Sequence, residues 1–272
     1  MLKKEQLPIF KVQREQVADI IRETAQEVVL PRFRRLEIDD VWSKSSPGDV
    51  TSIADHECEA ILTRRLSALL PGSLVIGEET AHERPEVLDF LHTESPVWIL
   101  DPVDGTQNFV HGRPEFAVMV ALMFSGQTLM SWIYDPLKDL HVWAGRGEGA
   151  WSGDRRLQIK KPKSSTKLSS MVSALYESNS FTIKDNFEKN IRLGSVAHDY
   201  WALAENKIQV LCFGRLKLWD HSAGVLLHDE AGGYNSMLDG GCYNPAISSQ
   251  NGILCAPDRD VWNTVSDILK RS

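Results

Sequence analysis

The chain has 272 residues, a formal net charge of −7, and ordinary hydrophobic (42%) and charged (25%) fractions. That is length enough for one large α/β domain with ample core, and the acidic balance speaks against a nucleic-acid-binding surface. Its four cysteines (Cys58, Cys212, Cys242, Cys255) show no Cys-x-x-Cys spacing, which speaks against a zinc site or disulfide framework and fits reduced thiols in a cytoplasmic setting.

The first residues, MLKKEQLPIFKVQ, carry basic charge with no long apolar core behind it, so no secretory signal is expected. No apolar run approaches the ~18 residues of a membrane span. Over 12–33, apolar residues recur at helical spacing (Val17, Ile20, Ile21, Ala25, Val28, Val29), and Pro31 should stop or kink that helix near its end. The polar stretch 44–48 reads as a loop. A second helix is expected over 52–70, with Ile53, Cys58, Ile61, Leu62, Leu66 and Leu69 inward and with Asp55 and Glu59 on one face. Residues 74–76 form a short buried strand, followed at once by Gly77-Glu78-Glu79. The acidic segment 81–94 reads as an exposed connection with one helical turn.

Residues 97–100 are apolar and read as a buried strand. Pro102 has no N–H to give and should break the ladder there. Asp104-Gly105-Thr106 then turns and offers the first free N–H groups of a new segment. Strands are expected at 116–122, 128–134 and 140–144, with turns at Gly126-Gln127 and 135–139 and a further hairpin around Gly153-Asp154, together an antiparallel sheet. Near 160–167 the composition shifts to Lys, Ser and Pro, which marks a boundary between an N-terminal half, 1–160, and a C-terminal half, 161–272, of one domain. Lys160-Lys161-Pro162-Lys163 is either a basic patch or a solvated loop. Beyond it, strands at 171–175, 208–213 and 253–256 alternate with helices at 181–190, 195–205, 221–230 and 258–270, an α/β arrangement.

The acids that follow strands or begin helices are Glu78, Asp101, Asp104 and Asp220, with Asp55 on the second helix. Asp101 and Asp104 at the end of a buried strand are costly to bury unpaired; hard cations with oxygen ligands resolve the cost, and Mg²⁺ suits carboxylates plus water. An Asx turn at Asp104, a plain N-cap at Asp220 and an exposed strand end at Glu78-Glu79 are the alternatives for each taken alone.

Together these stretches resemble the inositol monophosphatase family of Mg²⁺-dependent, Li⁺-sensitive phosphatases. The matching segments are Gly77-Glu78-Glu79, Trp98 through Phe109, and Trp219-Asp220-His221-Ser222-Ala223-Gly224 with Glu230-Ala231-Gly232-Gly233. Lys44 to Pro47, Asp49-Val50-Thr51 with Asp55, Ile133-Tyr134-Asp135-Pro136 and Gly147-Glu148-Gly149-Ala150 also fit, so the resemblance covers nearly the whole chain in order. It implies an αβαβα sandwich of the inositol monophosphatase and fructose-1,6-bisphosphatase type. It also implies two or three Mg²⁺ held by Glu78, Asp101, the Val103 carbonyl, Asp104 and Asp220. Thr106 with Asp55 would orient and deprotonate the attacking water. Asp104, Gly105, Thr106, Gly194, Ser195, Val196 and Phe213 would meet the substrate, with the Gly105 and Thr106 N–H groups on phosphate oxygens.

Two cations ~3.5–4 Å apart can clamp both the attacking and leaving oxygens of a phosphate displacement. No cysteine, serine or histidine shows a nucleophile arrangement, so direct attack by water is expected. His221, beside Asp220, is expected at the surface or just behind the site. The resemblance departs at Phe213, where animal inositol monophosphatases carry a Glu that meets inositol hydroxyls; Phe213 either walls the leaving group or is core. The substrate implied is a small phosphorylated polyol or sugar, foremost an inositol monophosphate; histidinol phosphate, fructose 1,6-bisphosphate and a 3′-phosphonucleotide are the rivals. A cytoplasmic homodimer with no nucleic-acid or membrane partner is expected, and a regulatory protein of the same fold is the reading from another class.

Overall fold

Two sheets with apolar residues on both faces divide the interior into three cores. The computed structural model describes residues 12–44, 49–163, 166–176, 183–246 and 251–271. Residues 45–48 of the expected loop, Ser164 and Ser165 of the expected boundary stretch and residues 181–182 of the expected third helix lie outside them.

The chain opens with α1 (Arg14–Thr24), extended by a π-helical turn at Ala25–Val29 and a 3-10 turn at Leu30–Arg32 that contains Pro31. A hairpin of β1 (Val41–Ser43) and β2 (Val50–Ser52) leads into α2 (Ile53–Leu69). Then come β3 (Leu74–Gly77), α3 (Glu78–Glu83), β4 (Val97–Asp104) and the short α4 (Thr106–Val110). Four hairpin-linked strands follow, β5 (Ala117–Phe124), β6 (Gln127–Asp135), β7 (Leu140–Gly145) and β8 (Gly149–Ser152), with β9 (Arg155–Leu157) closing the sheet. The second part has β10 (Val172–Leu175), β11 (Lys189–Asn190), α5 (Val196–Ala204), β12 (Val210–Phe213), α6 (Leu218–Glu230), β13 (Tyr234–Met237), β14 (Ile253–Ala256) and α7 (Arg259–Arg271).

The seven-stranded sheet runs β3-β4-β5-β6-β7-β8-β9 and the five-stranded one β11-β10-β12-β14-β13. In β4 and β5 the alternation is clean. Trp98, Leu100, Val118, Val120 and Leu122 face α1 and α2, while Val97, Ile99, Met119, Ala121 and Met123 face α5 and α6. In β12 and β14, Leu211, Phe213, Ile253 and Cys255 share that central core, whereas Val210, Cys212, Leu254 and Ala256 face α7. The order of layers is therefore helices, sheet, helices, sheet, helix, the expected layered α/β sandwich.

Several expectations are corrected. The first sheet is not wholly antiparallel: β3 pairs parallel with β4, because α3 and the 3-10 segment Pro85–His92 carry the chain back to the same end. Pro102 does not end its strand. The register shifts between Asp101 and Asp104, and the ladder resumes with Asp104 opposite Ala117, so a bulge absorbs the missing N–H. No helix spans 183–190. A 3-10 turn at Lys184–Asn186 puts Ile183 and Phe187 into the outer core, and β11 adds in parallel to β10 with the Asn190 side chain accepting from Leu175 N (2.9 Å). The first hairpin and β13 are additional, and α6 begins one turn before the expected start, at Leu218. Among the described residues no helix is long and apolar enough to cross a membrane.

Candidate active site

The site is built where β4, α4, α5 and α6 converge. The expected residues Glu78, Asp101, Val103, Asp104, Gly105, Thr106, Gly194, Ser195, Val196, Phe213 and Asp220 line one cleft of about 340 Å³. Asp55 stands behind Thr106, within hydrogen-bonding reach of its hydroxyl (3.1 Å).

Glu78 is delivered as the first residue of α3. Its placement depends on Glu59, one helical turn after Asp55 on α2. The Glu59 carboxylate accepts the N–H groups of Glu79 (2.7 Å) and Thr80 (2.8 Å), capping α3. A Cβ on Gly77 would lie 2.2 Å from Glu59 Cδ, so the glycine before the two glutamates is required for α2 to reach the helix start. Asp55 and Glu59 thus share a face, as their spacing implies, and divide the work.

Gly105 makes the turn out of β4 with φ +83°. A Cβ there would stand 2.8 Å from the Glu115 carbonyl and 3.0 Å from Ser195 Cβ, so only glycine lets this turn meet the start of α5. Asn108 holds the two segments together by donating to the carbonyls of Glu115 (2.7 Å) and Leu193 (2.9 Å).

Glu78, Asp101 and Asp220 each offer a carboxylate oxygen, all within 4.8 Å of one another. Asp101 is 2% exposed, and its Oδ1 is buried with no hydrogen-bond partner among the described residues. Burial, with Glu78, Asp104, Asp220 and Asp55 nearby, pushes the Asp101 carboxyl well above the usual carboxylate range. Asp220 is raised by burial and by Glu78 and Asp104. Converging all-oxygen donors with an orphaned carboxylate oxygen suit a hard divalent cation such as Mg²⁺. Asp104 lies beside the trio with its carboxylate turned onto α5, accepting from Val196 N (3.1 Å), Ala197 N (2.9 Å) and the Ser195 hydroxyl. The Val103 carbonyl is 2.9 Å from the Thr106 hydroxyl. Burial raises Asp55 to about 7, against two hydrogen bonds from Ser52.

Two cations were not anticipated in this role. Lys44 Nζ bridges Glu78 (2.9 Å) and Glu79 (2.7 Å) from a nearly buried position. Burial opposes its charge, but the two glutamates outweigh that and hold the ammonium charged. Lys217 Nζ lies 3.3 Å from Glu78 and 3.6 Å from Asp49. Its place three residues before Asp220 on a helix start was the available signal. Lys161 at the basic stretch donates to the carbonyls of Gly232 and Pro257, so it ties segments together.

His221 is neither at the surface nor poised on the site. It is 1% exposed, burial lowers it to about 3, and its Nδ1 is 3.0 Å from the Tyr200 hydroxyl. Its ring meets Phe213 edge-on at 4.9 Å. Phe213 borders the cleft yet is only 6% exposed, stacked on Tyr176 at 4.8 Å. Asp220 is not an N-cap, since Lys217 holds that position and Asp220 sits in the first turn of α6. The absence of a serine or histidine arrangement is also corrected: Ser195, His198 and Asp135 form a buried line, with His198 Nδ1 2.9 Å from Ser195 Oγ and Nε2 3.2 Å from Asp135 Oδ2. The Ser195 oxygen in it already accepts from His198 N and donates to Asp104, so it is a helix cap and not a free nucleophile.

The profile of the inositol monophosphatase family matches residues 9–269. An inositol-1-monophosphatase of Mesorhizobium japonicum is 36% identical over 211 residues, 73% of this chain and 76% of the relative. A protein of Haemophilus influenzae named Nus factor SuhB is 30% identical over 261 residues, 90% of this chain and 91% of the relative. In three dimensions the chain resembles an IMPase from Thermotoga maritima with TM-score 0.79 and 21% identity, covering 93% of this chain and 95% of that one.

Proposed function

Because the chain belongs to the inositol monophosphatase family of Mg²⁺-dependent phosphoric monoester hydrolases, we propose that it hydrolyses a small phosphorylated polyol or sugar by direct attack of water, with inositol monophosphate among its substrates. The observation that carries this reading is the Glu78, Asp101 and Asp220 trio around a partnerless Asp101 oxygen. Those three, with Asp104 and the Val103 carbonyl, would hold two or three Mg²⁺. When bound there, Mg²⁺ supplies charge that acidifies water and offsets the negative charge of the phosphate.

The remaining work falls to the chain. Thr106, 3.1 Å from Asp55, would align the attacking water, and the Asp55 carboxylate would receive the proton that the water gives up, through the Thr106 hydroxyl. The Gly105 and Thr106 N–H groups, at the edge of the cleft, would hold the phosphate oxygens. Val196, Tyr176 and the edge of Phe213 wall the leaving group with apolar surface. Such a wall discriminates weakly, so several sugar and polyol phosphates should react with kcat/KM within about two orders of magnitude of inositol 1-phosphate. Phosphate release from a panel that includes histidinol phosphate, fructose 1,6-bisphosphate and a 3′-phosphonucleotide tests this; activity on inositol 1-phosphate alone would overturn it.

The packing of Phe213 against Tyr176, Tyr200 and His221 supports the reading that most of its ring is core and only its edge borders the cleft. Phe213→Glu should chiefly destabilise the fold, by burying a charge among Tyr176, Tyr200 and a neutral His221. A drop in melting temperature with an unchanged substrate ranking is the expected result. Li⁺ is expected to inhibit at millimolar levels or above, measured against Na⁺ at matched ionic strength. The relative named as a Nus factor favours a second, regulatory reading, in which the chain acts by binding another protein. Failure to release phosphate from any member of the panel with Mg²⁺ present would favour that reading.

A further inference from the structure

We propose that His198 is a positioning residue that fixes the Asp104 carboxylate through Ser195; the proposal rests on the reading that Asp104 serves the cation site. Four side chains form the line: Asp135, His198, Ser195 and Asp104. Asp135 is 0% exposed and held at the β6–β7 turn, its Oδ1 accepting from the N–H groups of Leu137 and Lys138 (both 3.0 Å) and its Oδ2 from Lys138 Nζ (2.6 Å). It is a fixed anion, and its carboxyl stays below the usual range: burial pushes it up, but His198 and Lys138 prevail. His198 Nε2, 3.2 Å from that carboxylate, must therefore carry a proton and donate.

The other end turns on one hydroxyl. Ser195 Oγ accepts the N–H of His198 at 3.2 Å as the cap of α5, touches Asp104 Oδ2, and lies 2.9 Å from His198 Nδ1. Serine has a single proton to give. If Nδ1 were bare, imidazole and Asp104 would compete for it. If Nδ1 donates to Oγ, the serine proton goes to Asp104 and every atom in the line is satisfied. Capping alone needs only the serine oxygen, so the buried ring is surplus to folding the helix. Its effect is to set the direction of the hydroxyl and hold Asp104 oriented, as partners behind metal ligands do.

The test is calorimetric titration of Mn²⁺ into the full chain after chelation, with no substrate present. His198→Leu should weaken binding ~10-fold or more. His198→Asn keeps an amide N–H near the place of Nδ1 and should recover most of the affinity. His198→Gln reaches toward Asp135 without serving Ser195 and should resemble Leu. Thermal melts identify any variant that fails to fold, and the Asn and Gln pair carries the test if Leu does. Wild-type affinity in His198→Leu, or equal weakening in all three, overturns the proposal. Asp104→Asn in the same titration tests the underlying reading separately: wild-type affinity there refutes a role for Asp104 in cation binding, whatever His198 does.

Discussion

Asp101→Asn should fold normally and lose ~10³-fold or more of phosphate release at saturating Mg²⁺, the scale of several kcal/mol of charge stabilisation at the reacting phosphate. The loss is large because Asp101 stands between Glu78 and Asp220 and presents an oxygen with no other partner. The amide keeps the shape and removes the charge. Without metal, the fold should not suffer. Burial and the neighbouring carboxylates already oppose ionisation of Asp101, so a neutral amide suits the metal-free site at least as well as the acid. In chelator, the melting temperature of the variant is expected to equal or exceed wild type. Turnover within tenfold of wild type would refute the role assigned to Asp101.

The metal-free protein should become less stable as pH rises from about 6.5 to about 8, and Mg²⁺ should restore it. Asp55 carries the sign. Its ordinary value is 3.8 and burial raises it to about 7 in the fold. Between those values the folded chain keeps a proton that the unfolded chain has lost, so stability falls as pH rises. The window spans about three pH units, which sets this group's contribution at no more than about 4 kcal/mol. Asp101, Asp104 and Asp220 are also raised and act in the same direction. Asp135 and Glu205 are lowered, and their contributions are complete by about pH 5; burial lowers His221 to about 3 and His228 to about 4, so these two add stability as pH rises to their ordinary value of 6.5 and oppose the carboxylates only below it. Melting curves at pH 6.5 to 8, in chelator and in Mg²⁺, check this. A melting temperature that climbs toward pH 8 in chelator would show that the acids are not mutually opposed.

Most elements are legible in the sequence because their signals are local. Helix α2 carries apolar residues at helical spacing and ends at Pro71-Gly72, and β5, β6 and β14 are bounded by turn residues. The acids of the site are also legible, since Asp101, Asp104 and Asp220 stand at strand ends or helix starts in recognisable company. What the sequence hides is what each motif residue touches. Gly77 is a glycine because Glu59, 18 positions earlier, occupies the space of its side chain. Gly224 is one because the Tyr200 ring would lie 2.1 Å from a Cβ. Lys44 and Lys217 reach Glu78 across 34 and 139 residues. Pro102 continues its strand through a bulge, and Ile183 and Phe187, four apart as on a helix, reach the core without one. The sequence by itself therefore determined which acids stand at strand ends and helix starts and most of the strands and helices that carry them, because periodicity and turn preference act between near neighbours. Only the tertiary structure decided that Asp104 turns to α5, that His221 is core and that His198 joins Asp135 to Ser195, because hydrogen bonds and close packing between distant segments leave no periodic trace along the chain.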